Sequence, residues 1–303
     1  MLSENAYLPA ILAAAIVSGM VYAAALNRRG HPPAIVLITP AMAILFGLIG
    51  ARLFYFGARA GFLVPMYGWR ALVSLPSDQL AFGGAVTGAI LGARLAEKTL
   101  QAGKYALLDA LAAPGALMVL LARLAEYTVS FGQGAYVESP AHQFFPLAVK
   151  NEWGEWYYAI FMLEAVVAGL AILYALRARK TPAGRVFKLT LASLMLAQIL
   201  TESLHAESLK WGFVRVHQLY AVLLLALIMI SFVVRARKQG HRVIALITRQ
   251  GLPFLFGVAL LIGIEFALDK WEVVANWLLY LAMMGVLLGM GTLVYQLEAI
   301  TSR

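Results

Sequence analysis

The sequence predicts an all-α fold: a polytopic integral membrane bundle of about nine transmembrane helices, N-terminus outside and C-terminus inside, capped by loops on the outer side. Three observations predict it. Of the 303 residues, 62% are apolar and 13% charged, against about 45–50% and about 25% in ordinary soluble domains. The apolar residues gather into nine long runs. The lysines and arginines between those runs are biased to one side. No soluble core needs this much apolar surface, and mean hydropathy is +0.81, so soluble globular and disordered classes are excluded.

The runs lie at roughly 7–26, 34–57, 80–100, 105–125, 156–176, 187–205, 217–234, 252–269 and 276–297. A hydrocarbon core about 30 Å thick is crossed by about 20 helical residues. The third run is the weakest, because Arg94, Glu97 and Lys98 occupy its last turns, and the sixth is short. The segment 1–5 lacks the basic region of a cleaved signal peptide, so the first run reads as a retained span. With the N-terminus outside, the inside segments hold fifteen of the 24 lysines and arginines, from Arg28 to Arg303. The outside segments hold six: Arg59, Arg70, Lys150, Lys210, Arg215 and Lys270. Cations are retained on the cytoplasmic side, which sets this orientation and accounts for the net charge of +9 without a nucleic-acid partner. The basic stretch 235–249 divides the chain into a seven-span unit, 1–234, and a linker with two further spans, 235–303. Two outside loops are long, 58–79 and 126–155, and the second carries many aromatic residues. It reads as an interfacial aromatic belt or as a cap that helps admit a substrate.

Ionisable groups in a bilayer cost about 2.5–3.5 kcal/mol each on insertion scales, so they are paired or functional. Arg52, Arg123, Glu126, Glu164, Gln198, Glu202 and His205 fall at the outer ends of their runs, and the topology puts them at one depth. Arg123 and Glu126 are three apart and share a helix face. They read as an ion pair, or as a guanidinium aimed at a lipid phosphate, which a planar fork binds bidentately. Glu164 reads as a partner of Arg52 or Arg123. Glu202 and His205 read as snorkelling groups, or as a base oriented by a carboxylate. None of the five histidines has the spacing of a metal-binding helix motif, so no metal or cofactor is expected. With no cysteine in the chain, disulfides, thiolate metal sites and a cysteine nucleophile are excluded. Gly84, Gly88 and Gly92, and likewise Gly285 and Gly289, repeat at four-residue spacing, which predicts close helix packing. The Gly83-Gly84 doublet also reads as a place where a lipid headgroup approaches the backbone.

The order of motifs resembles the prolipoprotein diacylglyceryl transferase family of bacterial inner membranes. Gly50-Ala51-Arg52-Leu53-Phe54-Tyr55 is similar to its Gly-Ala-Arg-Leu-x-Tyr, and Phe82-Gly83-Gly84 to its Phe-His-Gly-Gly segment. Asp109, Pro114 and then Arg123-Leu124-Ala125-Glu126 follow the spacing of its Ala-Asp-x-x-Ala-Pro stretch and Arg-x-Gly-Asn signature. Glu164, Glu202 and Gln218 resemble later family positions. The resemblance covers about residues 34–234. Phe82 stands where the family has histidine, Ala125 and Glu126 where it has glycine and asparagine, and Gln198 where a late arginine is expected. The last two spans are extra.

The resemblance implies transfer of a diacylglyceryl group from phosphatidylglycerol to the lipobox cysteine thiol of a preprolipoprotein, at the bacterial plasma membrane and without a cofactor. Taken with the polar residues of this chain, it makes Arg123, Glu126, Glu202 and His205 the catalytic candidates, and Arg52, Gly83, Gly84, Glu164, Arg215 and Gln218 the substrate-binding candidates; His205, His217 or Arg215 would stand in for the family histidine and late arginine, which have no match here. The leaving phosphate needs positioned positive charge, and the substrate thiol needs a proton acceptor. The alternatives are a catalytically diverged protein that binds anionic lipid or a membrane partner, and a transporter. A transporter more often shows repeated halves and broken helices at the midplane.

Overall fold

A computed structural model describes residues 6–74, 79–178, 181–211, 214–270 and 275–302. The segment 1–5 lies outside the described residues, as do Arg179, Lys180 and Arg303, three of the cations that the sequence assigns to the inner side. The long helices are α1 Tyr7–Arg28, α2 Pro33–Tyr67, α3 Phe82–Thr99, α4 Ala106–Ala125, α5 Ile160–Arg177, α6 Arg185–Leu204, α7 Val216–Lys238, α9 Leu252–Lys270 and α10 Asn276–Ser302. A short α8, Val243–Leu246, and a π turn over Ile247–Gly251 lead into α9. Among the described residues, eight helices are long and apolar enough to cross a membrane. The chain is a multi-pass helical membrane protein. α3 is the exception, because Arg94, Glu97 and Lys98 lower the hydropathy of its last turns. It packs along α2.

That α2–α3 contact is made backbone to backbone. A Cβ on Gly88 would land on Phe46 O and within 2.6 Å of its carbonyl carbon. One on Gly92 would lie 2.5 Å from Met42 O, and one on Gly84 would lie 2.7 Å from the Gly50 carbonyl carbon. The glycine stripe therefore sets the separation of the two helices. The second glycine pair behaves otherwise. Nothing lies within 4 Å of a Cβ on Gly285 or Gly289, whereas Gly291 faces Leu196. The expected close packing through Gly285 and Gly289 is corrected: those glycines point away from the bundle.

The two long loops, 58–79 and 126–155, carry more structure than the sequence suggests. α2 runs on to Tyr67, 35 residues in all, because nothing from Gly57 to Val64 stops a helix already under way. At 1.5 Å per residue it is about 50 Å long and exceeds the membrane core, so the first part of the 58–79 loop, to Tyr67, is helix, and a 3₁₀ segment over Gly68–Leu72 follows it. The 126–155 connection is folded rather than irregular. Strands β1 Gln133–Tyr136, β2 Ala148–Lys150 and β3 Trp156–Ala159 form an antiparallel sheet in the order β1-β3-β2. A two-stranded ribbon, β4 Lys210–Trp211 with β5 Val214–Arg215, precedes α7. Ala206 N donates to Gln133 O, joining the end of α6 to the sheet. We refer to this end of the bundle as the cap end and to the other, which carries Arg177, Arg185, Arg235, Arg237 and Lys238, as the basic end.

Two buried clusters hold the helices together. One packs Tyr22, Leu26, Ala43, Ala93, Leu107 and Leu108 from α1 to α4, with Tyr22 OH donating to Leu107 O at 2.7 Å. The other joins Met195, Leu225 and Phe232 to Leu261, Met283 and Met290. α9 and α10 thus share a core with α6 and α7. At the basic end, Asp109 caps α6 from α4: its carboxylate accepts from Gly184 N at 2.6 Å and Phe187 N at 3.0 Å. Arg185 Nε pairs with Glu298 Oε1 at 3.0 Å and ties α10 to the same helix end.

Candidate functional site

At the cap end, α4, α5, α6 and α7 bring their polar residues into one layer. Arg123 is the last cation of α4, and the chain turns into a short 3₁₀ segment at Glu126. The three-residue spacing puts Glu126 Oε1 2.6 Å from Arg123 NH1. Arg123 Nε lies 3.0 Å from Glu164 Oε2 in the second turn of α5. Arg123 NH2 donates to Gln198 Oε1 at 2.7 Å. The guanidinium carbon stands 4.9 Å from the centre of the Phe82 ring. All three arms of the guanidinium are therefore engaged, and its charge is opposed by two carboxylates. Arg123, Glu126 and Glu164 are all buried, so neither sign is left to be screened by solvent.

The layer continues through α6. Thr201 Oγ1 donates to Glu164 Oε1 at 2.6 Å, and His205 Nε2 lies 3.4 Å from Glu164 Oε2. Gln198 Nε2 donates to Glu202 Oε2 at 3.1 Å, and His217 Nδ1 lies 3.5 Å from the same oxygen. Gln198, Thr201, Glu202 and His205 share one face because they are spaced three and four apart on a helix. Besides Glu164 Oε2, which faces Arg123 and His205, two buried oxygens of the layer, Glu126 Oε2 and Glu202 Oε1, have no hydrogen-bond partner among the described residues. A buried acceptor without a donor is costly. His205 sits just past the end of α6. Burial works against its charged form, but the Glu164 carboxylate more than offsets that, so its pKa is raised above the ordinary value.

Arg215 and Gln218 adjoin this layer. The β4–β5 ribbon delivers Arg215, whose NH1 donates to Glu202 O at 2.6 Å and reaches His205 O and Ser208 Oγ at 3.4 Å. Gln218 Nε2 donates to Ile199 O at 3.0 Å, to Ser203 Oγ at 2.6 Å and to Glu265 Oε1. Ser203 Oγ also donates to Glu265 Oε1. Glu265 Oε2 lies 3.8 Å from Arg215 Nε. Glu265 belongs to α9, and Tyr280 of α10 donates to Ser203 O at 3.4 Å. The last two helices therefore reach the polar layer.

The remaining sequence-derived candidates are placed differently. Arg52 is held by the chain that follows α2: Nε donates to Leu72 O at 3.3 Å, NH1 to Gln79 O at 3.1 Å and Gln79 Oε1 at 3.0 Å, and NH2 to Ala71 O and Ser74 Oγ. Those partners all belong to the cap-end turn, and none belongs to the Arg123 layer. Gly83 lies under the Tyr220 ring, 2.9 Å from where its Cβ would be, and Gly84 lies against α2. Protein occupies both bare faces. Sequence reasoning put Gln198 in the polar layer and His217 at the same side without assigning either a role, and it left Thr201 and Glu265 out of the site. An acid inside the apolar run 252–269 was the signal for Glu265.

Comparison with known proteins bears on the same region. The family model for prolipoprotein diacylglyceryl transferase matches residues 6–234, which take in Arg123, Glu126, Glu164, Glu202, His205, Arg215 and Gln218. No curated protein and no solved structure matches the chain.

Proposed function

The chain belongs to the prolipoprotein diacylglyceryl transferase family, and from that premise we propose that it moves a diacylglyceryl group from phosphatidylglycerol to the lipobox cysteine of a preprolipoprotein at the bacterial plasma membrane. The observation that carries this reading is the Arg123 layer: a buried guanidinium beside two carboxylate oxygens that have no donor among the described residues. The proposed orientation puts the cap end outside, because cations gather at the opposite end.

In this mechanism the thiol proton passes to Glu202 or His205, with Glu126 as the alternative acceptor. The thiolate sulfur then attacks the glyceryl carbon that carries the phosphate ester. A carbon–sulfur bond forms, the carbon–oxygen bond breaks, and the electron pair leaves on glycerol 1-phosphate. Arg123 and Arg215 stabilise the developing phosphate charge, which is worth most in a site of low dielectric. Arg52, Gly83 and Gly84 shape the α2–α3 wall, and Glu164 holds Arg123. Residues 1–234 carry the chemistry in this reading, and 235–303 add the basic linker and two helices.

A second reading is favoured by one observation. Every arm of the Arg123 guanidinium already has a protein partner, so a phosphate must displace Glu126, Glu164 or Gln198. A diverged protein that binds anionic lipid without transfer would have such an arrangement. The two readings separate by product. Incubation with phosphatidylglycerol and a lipobox peptide should release glycerol 1-phosphate, and a peptide with serine in place of cysteine should release none. No release with the cysteine peptide favours the second reading.

A further inference from the structure

Two arginines serve the polar layer, and they are held very differently. Arg123 is locked by contacts of 2.6, 2.7 and 3.0 Å and its side chain is 9% exposed. Arg215 NH1 is bonded to the Glu202 carbonyl at 2.6 Å, but the side chain is 17% exposed and its carboxylate partner, Glu265 Oε2, stands 3.8 Å away with a side chain 21% exposed. That distance is an ion pair without a hydrogen bond. Arg215 is therefore the guanidinium that an incoming anion reaches at the lower cost. Glu265 also accepts from Gln218 Nε2 and from Ser203 Oγ. One carboxylate thus faces the cation and the donors that an anionic headgroup would use. It comes from α9, beyond the residues that the family model matches.

We propose that Glu265 is a resident counter-anion: it holds Arg215 and Gln218 when no lipid is bound, and the phosphate of an anionic headgroup displaces it. The appended α9–α10 pair then sets how tightly the layer takes anionic lipid. This rests on the reading that Arg215 and Gln218 meet a lipid phosphate. The alternative role for the same contacts is a buttress that orients Arg215 and Gln218 for the ligand, and the two roles have opposite signs. Removing a buttress weakens lipid binding. Removing a competitor strengthens it.

The test measures binding of phosphatidylglycerol and phosphatidylcholine to the full chain by native mass spectrometry. Glu265→Gln keeps the side chain's shape and removes its charge. It should bind phosphatidylglycerol about tenfold more tightly, the size expected for losing one close charge competitor, with phosphatidylcholine unchanged. The gain should shrink at high salt. Glu265→Asp, which keeps the charge but draws it back from Arg215, should show a smaller gain and covers the case in which Glu265→Gln does not fold. Equal or weaker phosphatidylglycerol binding in the folded variant overturns the proposal. So does an equal gain for both lipids. Transfer is scored separately: a wild-type chain that transfers while Glu265→Gln binds no tighter refutes this inference alone, and tighter binding with no transfer in either chain refutes only the transferase reading.

Discussion

Arg123 Nε lies 3.0 Å from Glu164 Oε2, and this contact joins the end of α4 to the start of α5 beneath the sheet that connects them. It makes one ion pair responsible both for the packing of the cap end and for the cation of the site. The consequences of mutation follow from that double role.

Arg123→Ala leaves the Glu126 and Glu164 carboxylates buried without their cation. Breaking a buried pair from one side costs about 3–5 kcal/mol. This variant should lose thermal stability in detergent as well as transfer. Arg123→Lys keeps the charge and loses the fork that reaches Glu126, Glu164 and Gln198 together. It should remain folded, and transfer should fall by about 10²–10³-fold, the range seen when one oriented donor to developing charge is lost. Normal transfer by the lysine variant would remove Arg123 from the chemistry.

His205 gives a pH dependence with opposite signs for stability and rate. Its folded pKa is raised by Glu164, so its contribution to stability is complete below its unfolded value and is lost as pH rises through the folded one. As a proton acceptor it works only when neutral, so transfer should rise over the same interval. Thermal midpoint and initial rate, each measured against pH from below 6 upward, should cross in this way. His205→Gln should flatten both curves, and unchanged curves in that variant would assign the titration to another group.

The glycines supply a paired test of the fold. Gly88→Ala puts a methyl group on the Phe46 carbonyl, where neither backbone has room to yield. Overpacking of this kind costs about 1–3 kcal/mol. Gly285→Ala meets nothing within 4 Å, and alanine is the better helix former by about 1 kcal/mol, so it should be neutral or stabilising. Thermal unfolding of the two variants in one detergent decides it.

Asp109 tests whether a residue in a family-like motif is structural. Its carboxylate caps α6 through Gly184 N and Phe187 N at the basic end, at the opposite end of α4 from Arg123. Asp109→Ala should lower stability by about 0.5–2 kcal/mol, as other lost caps do, with KM for lipid unchanged. A raised KM at unaltered stability would place Asp109 in substrate binding.

Much of this architecture is legible in the sequence, because a membrane permits few solutions. Backbone groups must be satisfied within each segment, so long apolar runs become helices. The same cost makes charges in those runs conspicuous, which is why Arg123, Glu126, Glu164, Glu202 and His205 stand out in the amino-acid string itself. What the sequence hides is partner choice. Nothing in the spacing says that Arg52 turns to the Ala71–Gln79 segment while Arg123 takes Glu164. The sheet over 133–159 is also hidden, because its strands are only three or four residues long and lack a clean alternation. Glu265 is conspicuous as an acid in an apolar run, but its partners are hidden, because Ser203, Arg215 and Gln218 lie on the far side of a basic linker.

The measurement that bears most directly on the central claim is mass spectrometry of a lipobox peptide after incubation with the purified protein and phosphatidylglycerol. The account requires a diacylglyceryl adduct on the cysteine sulfur, formed by the wild-type chain and formed about 10²–10³-fold more slowly by Arg123→Lys. A folded wild-type chain that leaves the peptide unmodified, while a working family enzyme modifies it alongside, would contradict the account.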